Sequence, residues 1–167
     1  FGVGFTAEPM RGLTFTVDFY NIKVKDKIFV TQSFTVTAAD LLASPALNTI
    51  FGGTPGGNVS YFTNGLSTRT RGVDVVASYN TDAFGGKLNL SLAYNHNSNK
   101  VTSADNNVIN PDQIANIRNL APHDVAHFSA TYSNGPFSLT ARESYYGSWV
   151  NATDYGNGTG VGGSNGG

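Results

Sequence analysis

Residues Ala126-His127-Phe128-Ser129-Ala130-Thr131-Tyr132-Ser133-Asn134-Gly135-Pro136-Phe137-Ser138-Leu139-Thr140-Ala141-Arg142 alternate apolar and polar side chains on both sides of an Asn-Gly turn signal. Alternation at period two belongs to a strand whose two faces meet different surroundings. Asn-Gly between such runs is the strongest short hairpin signal. A two-residue type I′ turn at Asn134-Gly135 predicts the pairs Ser133–Pro136, Tyr132–Phe137, Ala130–Leu139 and Phe128–Ala141. The opposite face then pairs Thr131 with Ser138, Ser129 with Thr140 and His127 with Arg142, so apolar meets apolar and polar meets polar throughout.

The same period recurs upstream. Leu13, Phe15, Val17 and Phe19 alternate with Thr14, Thr16 and Asp18. Val73, Val75, Ala77 and Tyr79 alternate with Gly72, Asp74, Val76 and Ser78, and Leu88, Leu90, Leu92 and Tyr94 with Asn89, Ser91, Ala93 and Asn95. With the short run Phe1, Val3, Phe5, the pattern predicts about six strands in an antiparallel meander, an all-β fold. Helical signal is confined to Thr37-Ala38-Ala39-Asp40-Leu41-Leu42, where Thr37 and Asp40 have capping-box spacing.

Connections alternate in length. Short turns fall at residues 8–12, 82–85 and 133–136, and long Gly- and Asn-rich segments at about 31–58, 98–121 and 151–167. Short turns on one side and long loops on the other are the habit of a transmembrane barrel wall. Aromatic residues mark two levels of that wall. Tyr79, Phe84, Tyr132 and Phe137 cluster toward the short turns, and Phe19, Tyr20, Tyr94, Tyr145, Tyr146 and Trp149 toward the long loops, as expected of girdles at two membrane interfaces. Asp18, Asp74, His127 and Arg142 fall on the polar parity and are expected to face the lumen. Glu143 falls on the apolar parity, so either a bulge between Arg142 and Tyr145 re-aims it or it reaches the interface.

Composition agrees with a two-faced wall. Charged residues make up 13% of the 167, about half the share of roughly 25% in soluble domains. Mean hydropathy is nevertheless −0.17, because Gly (20 residues), Thr, Ser and Asn carry the polarity. A net charge of −1 gives no electrostatic reason to bind nucleic acid, and the absence of Cys excludes disulfides and thiolate sites. No apolar run approaches the roughly 20 residues of a spanning helix.

Four phrases resemble the TonB-dependent outer-membrane receptors. Leu13 to Ile22, with Asp18-Phe19-Tyr20-Asn21-Ile22 at its end, is similar to that family's strand of alternating apolars closing on Asp-Tyr-Tyr-Asn-Ile. Phe62-Thr63-Asn64-Gly65 followed by Thr70-Arg71-Gly72-Val73-Asp74 resembles its Thr-x-Gly-Val-Asp strand. Leu120-Ala121-Pro122-His123 entering a strand and Tyr145-Tyr146-Gly147-Ser148-Trp149 leaving one complete the series, in the family's order. The resemblance implies a monomeric 22-stranded barrel in the bacterial outer membrane. It also implies an N-terminal plug coupled to the TonB energy complex, and uptake of a scarce nutrient of siderophore, cobalamin or glycan class. Residues 1–167 are then expected to be part of such a barrel, short at both ends and without the plug. A passive porin or a secreted carbohydrate-binding sheet are the alternatives.

Sharper sites are weaker. His123 and His127, four apart, would converge on a helix but lie about 13 Å apart along a strand. Residues 105–112 are rich in oxygen but lack the Gly and Glu of a calcium loop. The tail from Gly156 lacks the Asp of nonapeptide calcium repeats, and four Asn-x-Ser/Thr patterns, at Asn58, Asn89, Asn151 and Asn157, are expected by chance in this composition. No nucleophile elbow or acidic pair in a pocket supports catalysis, so no enzymatic activity, cofactor or metal is expected.

Overall fold

β-Branched and aromatic residues at alternating positions favour extended, pleated backbone, and long strands dominate the chain. The structure, a computed structural model, describes residues 1–152 and a two-residue strand at 165–166. The Gly-rich tail and the Asn157 pattern lie outside these residues. In chain order the elements are β1 (Gly2–Met10), β2 (Leu13–Val30), β3 (Phe34–Thr35), α1 (Ala38–Ala43), α2 (Pro45–Phe51), β4 (Asn58–Val59) and β5 (Phe62–Ala83). Then follow β6 (Gly86–Ala104), α3 (Pro111–Asn119), β7 (Asp124–Asn134), β8 (Phe137–Tyr146), β9 (Trp149–Val150) and β10 (Asn165–Gly166).

Six strands form one antiparallel sheet in the order β1-β2-β5-β6-β7-β8, each paired with its neighbour along the chain once the β3–β4 loop is set aside. This is the expected all-β meander, and it remains an open sheet. Register aligns the two parities across all six strands. Phe15, Ala77, Leu92, Phe128 and Glu143 lie in one row, and Val17, Val75, Tyr94, Ala126 and Tyr145 in the next. The other face carries Asp18, Asp74 and Asn95 in one row, and Asn89, Thr131 and Thr140 in another.

The hairpin register differs from the expected one by two residues. Asn134 pairs with Phe137, Tyr132 with Leu139, Ala130 with Ala141 and Ser129 with Arg142. The turn residues are therefore Gly135, at φ +57°, and Pro136. Glycine first with positive φ is the type II′ pattern, and Pro fits the second place, where φ is near −65°. A turn at Asn134-Gly135 would instead need Pro136 to donate the closing N–H, which it does not have. A shift of two preserves the faces, so the division into apolar and polar sides stands.

Glu143 is also corrected. No bulge interrupts β7 and β8, and Glu143 pairs directly with Phe128 on the apolar face. It is not re-aimed, and it stands one row below Tyr145. Tyr20 leaves the proposed girdle for a similar reason. It pairs with Gly72 on the face of Asp18, opposite Phe19. Its ring lies over Gly72, where an added Cβ would stand 2.2 Å from the Tyr20 hydroxyl and 2.5 Å from the His96 carbonyl. Gly72 is thus required by close approach, and the tyrosine covers the gap it leaves.

β7 and β8 have 11 and 10 residues, the length of one membrane crossing. β2, β5 and β6 have 18, 22 and 19 and continue past the upper aromatic level as a three-stranded ridge. Long loops are correspondingly shorter than expected, because β6 runs on to Ala104. The fully buried apolar side chains, Leu66 and Ile109, with Val36, Leu41 and Ala152 close behind, all lie beyond that level. The sheet below is one layer thick, and its apolar face is left bare by this chain.

Candidate functional site

Three segments converge on the ridge. The 31–61 loop is a small folded unit. Thr37 caps α1 in a reciprocal box: its N–H and hydroxyl donate to the Asp40 carboxylate at 2.8 and 2.6 Å, and Asp40 N–H returns to the Thr37 hydroxyl. These bonds hold the Asp40 carboxyl below its ordinary range, the Thr37 hydroxyl being the larger cause. Ser44 then caps α2, Pro45 starts it, and Gly52 ends it in the left-handed region. α2 was missed by periodicity because six or seven residues are too few to show it. The Ser-Pro start and Gly-Gly stop were the available signals.

Residues 105–112 are held by local hydrogen bonds. The Asp105 carboxylate accepts from the Asn107 backbone and side chain, both at 2.9 Å. Asn110 caps α3, with Gln113 completing the box. Among the described residues no group of three or more His, Asp or Glu could hold a metal.

Hydrogen bonds tie the loops to one another. Gln32 N–H donates to the Val108 carbonyl at 2.8 Å and its side-chain amide to the Asn107 carbonyl at 3.0 Å. Gln113 reaches the Val30 carbonyl at 3.3 Å, and Ala152 N–H donates to the Asn116 side chain at 2.7 Å. Thr31, itself buried, holds Tyr61 through its hydroxyl and its N–H. Tyr61 in turn stacks on Phe34 with centroids 6.1 Å apart. Tyr61, partly exposed, lines with Phe34, Asp40 and Leu47 a hollow of about 300 Å³, and the ring of Phe62, next in the chain, is exposed. The result is a preformed rim bearing aromatic rings, suited to stacking against a planar or glycosidic ligand.

Asp18, Asp74, His127 and Arg142 share one face of the sheet. Asp18 and Asp74 are direct cross-strand partners, and Asn95 donates to Asp74 and, at 3.3 Å, to the Tyr20 hydroxyl. His127 bonds Ser144 at 2.9 Å and meets Tyr146 edge-on, which puts Tyr146 on this face and not in the girdle, and Arg142 lies opposite Ser129. His123 is held separately, by the Asn97 carbonyl at 2.6 Å, so the two histidines do not converge.

On the apolar face Tyr79, Tyr132 and Phe137 stand toward the short turns, and Phe19, Tyr94 and Tyr145 toward the loops. Trp149 lies past the sheet, in β9. From Asn134, level with Phe137, to Asp124, at the Phe19 level, is ten residues of β7. That is about 34 Å along the strand and about 26 Å at a tilt of about 40°, which matches an apolar band of about 25 Å. At the upper edge Asp124 accepts from the Tyr94 hydroxyl at 2.6 Å and lies 2.8 Å from His96 Nδ1. This polar knot was not visible in the sequence, because it depends on knowing which residue faces Tyr94 and His96 across β6 and β7.

A family model described as the TonB dependent receptor-like β-barrel matches residues 1–166. No curated protein and no solved structure matches the chain.

Proposed function

The chain belongs to the TonB-dependent receptor β-barrel family, and from that premise we propose that it is wall and capture surface of an outer-membrane active transporter. The family is one of outer-membrane transporters and receptors rather than enzymes. The apolar face then meets lipid, and Asp18, Asp74, His127 and Arg142 line the lumen. The knitted loops present Tyr61 and Phe62 to a scarce nutrient of siderophore, cobalamin or glycan class. Energy reaches the barrel from the TonB complex through a plug.

The observation that carries this reading is the pairing of a bare apolar band of membrane height with a preformed, aromatic-bearing loop unit at one end only. A passive channel has no use for such a rim, and the lumen row is too sparsely charged for a selective constriction. The test is growth of a strain lacking the receptor under limitation for iron chelate, cobalamin or glycan in turn. Loss of growth on one of these is expected, with rescue by the native receptor and weak rescue by a Tyr61→Ala/Phe62→Ala variant. Uptake that persists when the energy-coupling complex is removed would identify a porin instead.

A further inference from the structure

Above the upper aromatic level the outward parity changes character. The next row of that face is Asn21–Arg71–Ser98, and the one after it is Lys23–Arg69–Lys100. Three cations thus stand side by side on three adjacent strands, about 4.8 Å apart from strand to strand, with Arg71 one row below. Like charges directly opposite one another destabilise a sheet, and this chain does nothing to relieve them. Among the described residues Lys23, Arg71 and Lys100 have no hydrogen bond or ion pair from their side chains, and Arg69 has only the neutral Asn21 side chain at 2.8 Å. Asp18 and Asp74 point to the other face, and neither Asp26, three residues beyond Lys23, nor Asp124, held on the outward face by Tyr94 and His96, forms an ion pair with any of these cations. Four of the ten Lys and Arg residues of the chain are therefore gathered where no anion of the sheet meets them.

Position selects the anion. Arg71 is one row above Phe19, about 7 Å along the strand, and the Lys23 row is about 13 Å above it. After tilt these are about 5 and 10 Å. The polar headgroup layer extends about 5–8 Å beyond the hydrocarbon on each side. Long Lys and Arg side chains can reach down into it. Beside the patch is a surface hollow of about 440 Å³ whose lining includes Phe1, Phe19, Asn21, Arg69 and Arg71. Phe19 lies toward the band and Arg69 toward water, with Phe1 and Arg71 level with each other between them; an apolar ring below a guanidinium is the order of acyl chain and phosphate in a phospholipid or glycolipid. Guanidinium forks match phosphate oxygens in pairs.

We propose that Lys23, Arg69, Arg71 and Lys100 bind the phosphate of a phosphorylated lipid headgroup in the surrounding outer leaflet, with the acyl portion along Phe19. This rests on the reading that the odd-numbered positions of β2 up to Lys23 face lipid. It goes beyond that reading in assigning a lipid-specific site.

The test uses the intact receptor in nanodiscs of neutral lipid, titrated with phosphatidic acid as phosphomonoester probe and with diacylglycerol as its dephosphorylated counterpart. Phosphatidic acid is expected to bind, and diacylglycerol much more weakly. A Lys23→Gln/Arg69→Gln/Lys100→Gln variant should bind phosphatidic acid roughly 30- to 100-fold more weakly, whereas Lys23→Arg/Lys100→Arg should bind like the native protein. Heat-modifiable gel migration checks that each variant is folded. If the Gln variant does not fold, salt provides the measurement on the native receptor: high ionic strength should weaken binding of the phosphomonoester, by screening. Equal binding by the native and Gln proteins, equal binding of diacylglycerol, or indifference to salt would each overturn the proposal. Displacement of the lipid by equimolar inorganic phosphate would overturn it too, by identifying a free-anion site. Failure of the wall orientation is read separately, from a charge placed at Leu90, which needs no lipid readout.

Discussion

Glu143 faces Phe128 one row below Tyr145 of the upper aromatic level, and among the described residues nothing hydrogen-bonds to its side chain. Parity alone put it on the apolar side, and the continuous β7–β8 ladder removes the bulge that would have turned it away. In a lipid-facing row a carboxyl group is unfavourable, though less so than Lys or Arg, which lose about 2–4 kcal/mol at the midplane. Glu143→Leu is therefore expected to stabilise the intact receptor by roughly 1–2 kcal/mol, measured as a shift of the urea midpoint in refolding from vesicles. A loss of stability would mean that Glu143 meets a polar partner on the strand beyond β8. Gly72 and Tyr20 are the opposite case. There the sequence offered an aromatic beside Phe19, and only register showed that its ring fills the space over a glycine on the other face.

Among the elements, the sheet was legible because period two repeats in every long strand and the turns carry Gly at the reversals. The error of two residues at the β7–β8 turn came from reading Asn134-Gly135 without asking which residue must donate the closing N–H. The three helices were less legible. α1 announced itself through Thr37 and Asp40, whereas α2 and α3 are short and are built from local caps more than from an apolar stripe. The α1 cap should respond to acid in a definite sense. Its carboxyl is held below the ordinary value near 3.8 by the Thr37 hydroxyl and N–H. A depressed carboxyl contributes stability above its unfolded value and loses it as pH falls through the folded value. Protection of the Leu41 and Ser44 amides from hydrogen exchange, corrected for intrinsic rate, should be flat from about pH 7 to about pH 5 and fall below about pH 4. Asp40→Asn should remove that step. Persistence of the step in the variant would place its origin outside the capping box.

For the whole molecule, the decisive feature is that wall and core are in different places. Inside and outside parity could be read from the sequence, since each strand carries it. Which loops touch could not, because contacts such as Gln32 to Asn107 and Gln113 to Val30 join segments 75 and 83 residues apart with no periodic signature. Stability should divide along the same line. Leu66 is 1% exposed and sits on the ridge, next to the Gly65 carbonyl that accepts from Asp105. Leu66→Ala removes buried methylene groups where no lipid can fill the space, at a loss of about 2–5 kcal/mol. That loss should fall on the loop unit. Amides of residues 31–61 and 105–119 would exchange faster, while those of β7 and β8 and the midpoint of barrel refolding stay nearly unchanged. Leu90→Lys, one row from Leu92 on the apolar face, should do the reverse. It should destabilise refolding into vesicles by about 2–4 kcal/mol and leave loop exchange alone. If Leu66→Ala lowers the barrel midpoint as much as Leu90→Lys does, ridge and wall are one cooperative unit. If Leu90→Lys has no effect on refolding, the apolar face does not meet lipid.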